Sequence, residues 1–493
     1  MMQPVRIAVL ADIHFGESSP CSERRSNLAD ILLLRAVHRL NRWIKPDLTV
    51  ILGDILDDGN GPDASARRAT LHKYISKLDS PVVILPGNHD GDRDSFYEVF
   101  ARPPEAVDVG PVRVLTFDDP EEPGWNARRT EPDLHRLRAE RAQHAGSLVT
   151  LQHVPVIPAG SDLSPYRYLN DTAVIDAMAG DGLTLAISGH YHEGLDLIKE
   201  GSCAFLAAPA LCEKPFSFLT VDIAGNDVSV RRHDLAMPAE LRLRDLHVHS
   251  YFAYCSENMD FQRALLLTDA FNLRGLAFTE HSGQLYFDSD TYWHGLFLDG
   301  SVSPQVPNRA GGYFREAAAE VDSSIALVGL EADCDFLGKP VVRAEDRSRS
   351  QLLLGAVHSL PELESPQPDL DRAADQFMAM TAGLVASNIH ILAHPFRVFR
   401  RARLPVPEQL FPAVVALLKQ HGVAAEINFH TNEPSADFVA MCISAGVKLA
   451  FGSDAHNLYE VGEFQPHLDL LRTCGVSGDI NSVLWQPPDV SCM

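Results

Sequence analysis

The sequence predicts an α/β fold in two domains, and three observations support this prediction. Short runs rich in Val, Ile and Leu recur along the whole chain, as in the buried strands of parallel sheets. Stretches with apolar residues at helical spacing separate many of these runs, and Asp, Asn or His residues follow most of them. The length of 493 residues suits two large domains.

The first half, from Val5 to about Leu235, contains seven predicted strands. They are VRIAVLADIH, LTVILGDILD, PVVILPGNHD, SLVTLQHVP, LTLAISGHYH, FLAAP and FSFLTVDI. Between the first two, residues 27–45 have helical spacing. The segment AMPAE at 236–240 is the predicted junction, so we expect domains at 1–236 and 241–493.

The second half repeats the alternation of strands and helices. Its predicted strands are LRDLHVHS, RGLAFTEHS, IALVGLEADC, LLLGAVHSL, IHILAHPF, AAEINFH and KLAFGSDAH. Its predicted helices are MDFQRALLLTDAFN, DRAADQFMAMTAGLVAS, PEQLFPAVVALLKQHG and SADFVAMCISAG. Seven strands with intervening helices favour a parallel, barrel-like fold, in which ligands bind at the carboxyl ends of the strands.

The charge balance narrows the classes of partner. The chain has 42 Lys and Arg against 66 Asp and Glu, a net charge of −24. Such a surface repels polyanions and disfavours nucleic acid as a partner. A small phosphorylated substrate is compatible with it, provided that metal ions supply local positive charge.

Two further features indicate the cellular setting. No apolar stretch approaches the roughly 20 residues that a membrane span needs, and the first residues lack a signal-peptide pattern. The eight cysteines are scattered without a CxxC pair, as in a reducing compartment. We expect a cytoplasmic protein without membrane contact, while the oligomeric state stays open.

The predicted strands of the first half end in a set of metal-binding residue types. These are Asp12, His14, Asp54, Asp57, Asn88, His89, Asp90, His153, His190 and His192. Carboxylates, an amide oxygen and imidazoles together suit Zn²⁺, Mn²⁺ or iron. Asp57 and Asp90 fit a supporting role as well as ligation.

These residues fall into five motifs, namely DIH at 12–14, GDILD at 53–57, GNHD at 87–90, His153 and GHYH at 189–192. In this order, the motifs resemble the calcineurin-like metallophosphoesterase superfamily over about the first 235 residues. The resemblance implies a four-layer αββα sandwich that binds two divalent metals. By the same resemblance, Asp12, His14 and His192 hold one metal and Asn88, His153 and His190 hold the other. Asp54 bridges the two, and His89 protonates the leaving group or steadies the transition state. A hydroxide between the metals would attack phosphorus in line.

A second set of such residues follows the strands of the second half. Its members are His247, His249, Glu280, His281, Glu331, His358, His394, Asp454 and His456. From 241 to roughly 470, this set resembles the polymerase and histidinol phosphatase (PHP) superfamily. The resemblance implies a distorted (β/α)7 barrel with two or three metals (Mn, Fe or Zn).

The resemblance also distributes these ligands. His247, His249, Glu331 and Asp454 would hold one metal. His358 and His394 would hold a second, with Glu331 as the bridge. His281 and His456 would hold a third, whose remaining ligand is usually His or Asp; here that position falls on Cys255. A thiolate binds zinc well, but a buried free Cys is an equal alternative.

Three more residues and one segment complete the predicted second site. Arg397 is a candidate clamp for a substrate phosphate, or else a surface arginine of the basic run RVFRRAR. Glu280, Glu426 and Asn428 are expected to support the ligands. The aromatic insertion at 283–323 is either a substrate lid or packing over the barrel end.

Both halves thus indicate metal-dependent hydrolysis of phosphoesters. One hypothesis is a relay, in which the first domain opens a phosphodiester and the second removes the resulting monoester. Three alternatives remain: a nuclease acting on DNA or RNA, one catalytic domain with a metal-bound scaffold, and a phosphate-binding module without turnover. The acidic charge argues against the nuclease, and the intact His89 with both bridging carboxylates argues against the binding module.

Overall fold

The computed structural model describes residues 3–300 and 309–487. These residues form two compact units that divide after Ala236. Each unit is an α/β structure with its own sheets and core. No helix within the described ranges is long and apolar enough to cross a membrane.

The first unit has thirteen described strands and five described α-helices. The strands are β1 (Val5–Leu10), β2 (Leu48–Leu52), β3 (Val82–Leu85), β4 (Ala106–Val109), β5 (Val112–Thr116), β6 (Glu121–Glu122), β7 (Asn126–Ala127), β8 (Leu148–Leu151), β9 (Thr184–Ser188), β10 (Leu195–Glu200), β11 (Cys203–Ala207), β12 (Ser217–Ala224) and β13 (Asp227–Asp234). The helices are α1 (Ala29–Arg39), α2 (Ala64–Ile75), α3 (Arg93–Tyr97), α4 (Glu131–Gln143) and α5 (Asp171–Met178).

Two sheets face each other in this unit. One has the order β13-β12-β1-β2-β3 and the other the order β10-β11-β9-β8-β5-β4. Alternate residues of both sheets, such as Val9, Val50 and Val149, share one buried core, as the two-residue period of strands requires. A second cluster covers the opposite face of the larger sheet with Leu134 and Leu137 of α4 and Val174 of α5. The parallel strands β1, β2 and β3 end together at one edge.

The second unit alternates strands and helices. Its strands are β14 (Arg244–Val248), β15 (Gly275–His281), β16 (Ala326–Asp333), β17 (Leu352–Ala356), β18 (Ile391–Leu392), β19 (Ala424–Ile427) and β20 (Leu449–Phe451). Its helices are α6 (Phe261–Ala270), α7 (Ser282–Tyr286), α8 (Ser289–Trp293), α9 (Arg309–Glu320), α10 (Ala344–Arg349), α11 (Leu370–Val385), α12 (Arg397–Arg401), α13 (Phe411–His421), α14 (Ala436–Ala445) and α15 (Gln465–Thr473).

All seven strands of the second unit are parallel and follow chain order from β14 to β20. The residues after β20 return to β14: the amide of Asp454 donates to the carbonyl of His247 (2.8 Å), and the amide of His249 donates to the carbonyl of Ala455 (3.1 Å). The sheet is therefore a nearly closed barrel. Its apolar cluster includes Leu246 and Leu354.

The structure adds elements that the apolar runs did not predict. β10 and β13 carry the polar sequences LDLIKE and DVSVRRHD at sheet edges, where strands are paired on one side only. The predicted helix at 27–45 is also divided: α1 ends at Arg39, and a wider helical turn follows over Leu40–Ile44. Periodicity alone detects neither feature.

Candidate metal centres

The residues that follow β1, β2 and β9 adopt unusual backbone angles. The φ angles are +54° at Asp12, +49° at His14, +51° at Asp54 and +65° at His190. Left-handed conformations are costly for residues with a Cβ atom and concentrate at functional sites. Backbone hydrogen bonds hold the strained segment in place, because the amide of His14 donates to the carbonyl of Asp54 at 2.8 Å.

The first candidate metal position lies between Asp12, His14 and His192. His14 Nε2 is 3.2 Å from His192 Nε2, and His192 Nε2 is 3.7 Å from Asp12 Oδ1. Asp12 and His14 are fully buried. The three residues predicted to share a metal are therefore brought together around one point.

The second candidate position is formed by Asn88, His153 and His190. His153 Nε2 lies 3.1 Å from Asn88 Oδ1 and 3.1 Å from His190 Nδ1. Burial and the nearby His153 lower the pKa of His190 to about 3, so this ring is neutral and able to ligate. The predicted second set is thus also assembled.

Asp54 lies between the two positions. Its Oδ2 is 3.6 Å from His14 Nε2 and 3.5 Å from His153 Nε2. Burial opposes ionisation of Asp54, but His153 and His14 outweigh it and hold the pKa of this carboxyl well below its ordinary value. An ionised carboxylate equidistant from two ligand sets suits a bridging role.

The second ring nitrogen of each of the four predicted ligand histidines in the first unit has its own partner. His153 Nδ1 lies 2.7 Å from the Leu52 carbonyl, His190 Nε2 lies 3.0 Å from the Trp125 carbonyl, His192 Nδ1 lies 2.6 Å from Glu213 Oε1, and His14 Nδ1 lies 3.3 Å from Asp57 Oδ1. Because these oxygens only accept, each contact assigns the proton to that nitrogen and leaves the other nitrogen free for a metal.

His89 lies beside these ligands. Its amide donates to Asp54 Oδ1 at 2.8 Å, its Nδ1 lies 2.8 Å from the carbonyl of Asp57, and its ring meets that of His14 edge-on at 4.7 Å. Asp90 has a supporting role, because its carboxylate accepts from the amides of Leu56 and Gly87.

The second unit collects its predicted ligands around Glu331. His247 Nε2 lies 3.4 Å and His249 Nε2 lies 3.7 Å from Glu331 Oε2. Asp454 Oδ1 lies 3.5 Å from His247 Nε2 and 2.9 Å from His249 Nε2. All four side chains are fully buried, and their ligand atoms form one group of suitable size for an ion.

The other carboxylate oxygen of Glu331 faces two more histidines. Glu331 Oε1 is 3.1 Å from His358 Nε2 and 2.7 Å from His394 Nε2. Burial opposes ionisation of Glu331, but His281, His358 and His247 hold the pKa of its carboxyl well below the ordinary value. Glu331 is therefore placed as the predicted bridge.

Carboxylates fix the rings of the second unit as well. His247 Nδ1 lies 2.7 Å from Glu426 Oε1, His249 Nδ1 lies 3.2 Å from Glu280 Oε1, and His358 Nδ1 lies 2.8 Å from Asp333 Oδ1. Asn428 donates to Asp454 Oδ2 at 3.3 Å. The expected supporting roles of Glu280, Glu426 and Asn428 agree with these contacts.

The residues of the predicted third position are grouped less completely. His249, His281 and His456 offer nitrogens within one group, and the ring centroids of His249 and His281 are 4.1 Å apart. Cys255 Sγ contacts Gln284 Nε2 at 3.2 Å, and burial raises the pKa of its thiol to about 12. Cys255 lines the same cavity as His281 and His456, and its ligation stays a prediction.

Arg397 is buried and engaged with ligand residues. Its guanidinium donates to the Asp454 carboxylate and to His394 Nε2, the latter at 2.7 Å. The side chain also lines the cavity beside the ligands. The surface-arginine alternative is therefore wrong, while the role of phosphate clamp stays a prediction.

A cavity of about 420 Å³ opens onto the ligands of the second unit. The aromatic insertion contributes Tyr292, Trp293 and Phe297 to its wall, whereas Tyr286 and Phe287 are buried. Some rings of the insertion thus line the cavity and others pack, while the role of substrate lid stays a prediction. Residues 301–308 of the insertion lie outside the described residues.

The donor sets fit divalent metals. Within the described residues, Asp12 Oδ1 is buried without a hydrogen-bond partner, while Glu331 Oε2, His247 Nε2 and His358 Nε2 are buried and face other predicted ligands. Buried lone pairs that converge in this way are costly unless a cation satisfies them. Divalent metals are therefore consistent with both groups of residues.

Three neighbours of the ligands were missed from the sequence. Glu213 and Asp333 orient His192 and His358, and Cys212 offers its sulfur in a group with His14 and His192. Asp333 had a signal, since it stands two residues after Glu331 on β16 and therefore on the same face. Glu213 and Cys212 had no such signal, because it is the three-dimensional course of the segment after β11 that brings them to the site.

Comparison with known proteins agrees with this geometry. Residues 5–194 match the family model described as calcineurin-like phosphoesterase. That range includes all seven predicted ligands of the first unit. The chain is therefore an enzyme of the metal-dependent phosphoesterase class, with a calcineurin-like phosphoesterase domain in its first half.

Similar curated proteins are named as phosphatases. A probable phosphatase of Yersinia pestis (strain Pestoides F) is 29% identical over 232 residues, which is 45% of this chain and 81% of the relative. A probable phosphatase of Yersinia enterocolitica is 28% identical over the same shares of the two chains.

Two solved structures show distant likeness. A dimetal phosphatase from Danio rerio has a TM-score of 0.40 and 20% identity, covering 47% of this chain and 97% of its own. A protein of Listeria monocytogenes, provisionally assigned as a histidinol phosphatase, has a TM-score of 0.34 and 14% identity, covering 44% and 97%.

Proposed function

We propose that the chain hydrolyses small phosphorylated substrates at two metal centres, one in each unit. The observation that carries this proposal is the pair of buried carboxylates, Asp54 and Glu331, each facing two sets of histidines. In finer terms, we propose a four-layer αββα sandwich at 1–236 and a distorted (β/α)7 barrel of the PHP type at 241–493.

In the first unit, Asp12, His14 and His192 would hold one divalent ion, and Asn88, His153 and His190 would hold another. Asp54 would contact both. When bound, such ions neutralise the charge that develops on a phosphoryl group and activate water for attack. Zinc, manganese and iron all fit a donor set of carboxylate, amide and imidazole.

For His89, we propose a role at the leaving group. Its Nδ1 faces the Asp57 carbonyl and therefore carries a proton. Nε2 is thus the ring nitrogen that is left to act on a substrate. The amide of His89 is tied to Asp54, which keeps the ring at the edge of the ligand set. We propose that His89, when both ring nitrogens carry protons, donates the proton of Nε2 to the departing oxygen.

In the second unit, we propose that Glu331 joins a position formed by His247, His249 and Asp454 to one formed by His358 and His394. His281 and His456 would hold a third ion, with or without Cys255. Arg397 would turn from Asp454 towards a substrate phosphate once metals balance the carboxylates. Cationic planar groups suit phosphate oxygens well.

The two centres favour a division of labour, although one catalytic unit with a metal-bound scaffold is the second candidate. Cys255 favours this second candidate, because it stands where the resemblance to the PHP superfamily leads us to expect His or Asp as the remaining ligand of the third position. The net charge of −24 disfavours nucleic acid as the substrate of either unit.

The test uses the full chain with two model substrates. Bis(p-nitrophenyl) phosphate reports diester cleavage and p-nitrophenyl phosphate reports monoester cleavage, each with Mn²⁺ or Zn²⁺ supplied. We expect Asp54→Ala to lower diester turnover and Glu331→Ala to lower monoester turnover, each by at least about 100-fold, because each removes a ligand shared by two ions.

Surface carboxylates supply matched controls. Glu131→Ala and Glu345→Ala change exposed residues of α4 and α10 and should leave both rates unchanged. If one bridging variant removes both activities and the other removes neither, a single unit performs the chemistry. If neither variant changes either rate, the proposed sites are wrong.

A further inference from the structure

The segment Ala210–Glu213 lies against the first candidate metal position. Its first amide donates to the carbonyl of His192 at 3.0 Å, and the amide of Cys212 donates to the carbonyl of Asp12 at 3.2 Å. At the end of the segment, Glu213 Oε1 lies 2.6 Å from His192 Nδ1. Three successive contacts thus fix this segment to two residues of the metal position.

The thiol of Cys212 lies close to two of the same residues. Its Sγ and one ring nitrogen each of His14 and His192 lie within 4.8 Å of one another. Cys212 is fully buried and is not in a disulfide. Burial raises the pKa of this thiol well above its ordinary value, but coordination to a metal deprotonates a thiol outright.

Asp12 provides an independent indication of a cation here. Its side chain is fully buried, and within the described ranges Oδ1 has no hydrogen-bond partner. This oxygen lies 3.7 Å from His192 Nε2. A carboxylate oxygen in such a place is costly unless a cation satisfies it.

We propose that Cys212 is an additional ligand of the metal held by Asp12, His14 and His192. Its sulfur would make this position prefer Zn²⁺, Fe²⁺ or Co²⁺ over Mg²⁺ and Mn²⁺, because thiolates bind soft and borderline ions best. The thiol proton passes to solvent when the ion binds. The other position, with the amide oxygen of Asn88, has no sulfur in its proposed set and would be less selective.

This inference rests on the proposed function of the first unit. Cobalt binding tests the two separately, because the thiolate band reports ligation by Cys212 and the amount of bound cobalt reports the metal centre itself. Full-length protein is titrated anaerobically with Co²⁺, and absorption spectra are recorded. The near-ultraviolet band of thiolate-to-cobalt charge transfer reports sulfur ligation, and the visible bands report the bound ion. The parent protein for these titrations carries Cys255→Ser. Cys255 lines the cavity of the second unit, and its removal ensures that a thiolate band does not arise there. Cys212→Ser and Cys212→Ala are added to it, and Cys203→Ser, a buried cysteine of β11, is the matched control.

We expect the charge-transfer band in the parent and in the Cys203 variant, and its loss in both Cys212 variants with the visible bands retained. Competition should show that Cys212→Ser weakens Zn²⁺ binding by at least about tenfold while Mn²⁺ binding changes little. Circular dichroism checks that each variant is folded. Because Ser and Ala differ in size and polarity, loss of the band in both Cys212 variants indicates that the sulfur itself is required.

Two results would overturn the inference. One is a parent that binds cobalt in the first unit without the band, and the other is a band that survives in a folded Cys212 variant. The proposed function fails by a different result: Asp12→Ala and Asp54→Ala would bind as much cobalt as the parent does.

Discussion

Single residues show how the protein prepares histidines for metals. His192, His247 and His358 each place Nδ1 within 2.8 Å of a carboxylate oxygen and direct Nε2 towards other ligands. Such a contact fixes the tautomer and the ring angle and makes the free nitrogen a better donor. The same arrangement therefore recurs in two units of different fold.

Glu213 gives a prediction at this scale. Replacing it in Glu213→Gln keeps the shape but removes the charge that faces His192. We expect metal affinity of the first unit to fall about 10–100-fold, as is usual for such outer partners. A chelator-competition titration measures the effect.

The matched control is Glu200→Gln on β10, because this carboxylate is exposed and distant in the sheet from the ligands. It should leave metal affinity unchanged. Equal losses in the two variants would mean that net charge, and not the contact with His192, sets the affinity.

At the scale of elements, strand ends decide where the ligands lie. Parallel strands bring their carboxyl ends to one edge, so residues far apart in sequence, such as Asp12 and Asp54, become neighbours. The left-handed turns after these strands then aim each side chain inward. A strand end that continued in extended conformation would alternate its side chains between the two faces.

The hairpin of β12 and β13 gives a pH prediction. His233 stacks on Phe218 at 4.8 Å, and its Nε2 lies 2.9 Å from Thr220 Oγ1. Burial first, and then the nearby Arg39 and Arg231, lower the pKa of His233 to about 4, against about 6.5 in the unfolded chain. The folded state therefore binds fewer protons than the unfolded state between pH 4 and 6.5.

Stability of the first unit should consequently fall as the pH drops from about 6.5 to about 4. His233→Gln removes this titration and should flatten part of the slope. Denaturant unfolding of both proteins at a series of pH values measures it, with His135→Gln on α4 as a control outside the hairpin. An unchanged slope in His233→Gln would show that other groups carry the dependence.

The whole molecule consists of two units with separate cores, so each should respond to its own metals. A ligand that binds only the folded state stabilises it by about 2.7 kcal/mol when its free concentration is roughly 100 times Kd. Removing metals with EDTA should therefore lower the Tm of both units, as measured by differential scanning calorimetry.

The bridging variants assign the two responses. In Asp54→Ala the EDTA effect on the first unit should disappear while that on the second remains, and Glu331→Ala should show the converse. If EDTA shifts no transition in the wild type, the buried clusters do not hold metals under those conditions.

Sequence alone determined the α/β class, the seven strands of the barrel and the ligand types, because apolar runs and the polar residues that follow them are local patterns. It also identified Asp54 and Glu331 as candidate bridges by resemblance. The sequence also indicated Glu280, Glu426 and Asn428 as supporting residues, but only the tertiary structure decided the other contacts of the ligands. Glu213 and Cys212 reach the first site through the path after β11, and Arg397 pairs with Asp454 across the barrel. Such contacts join segments distant in the chain, and their residues leave no periodic pattern to read.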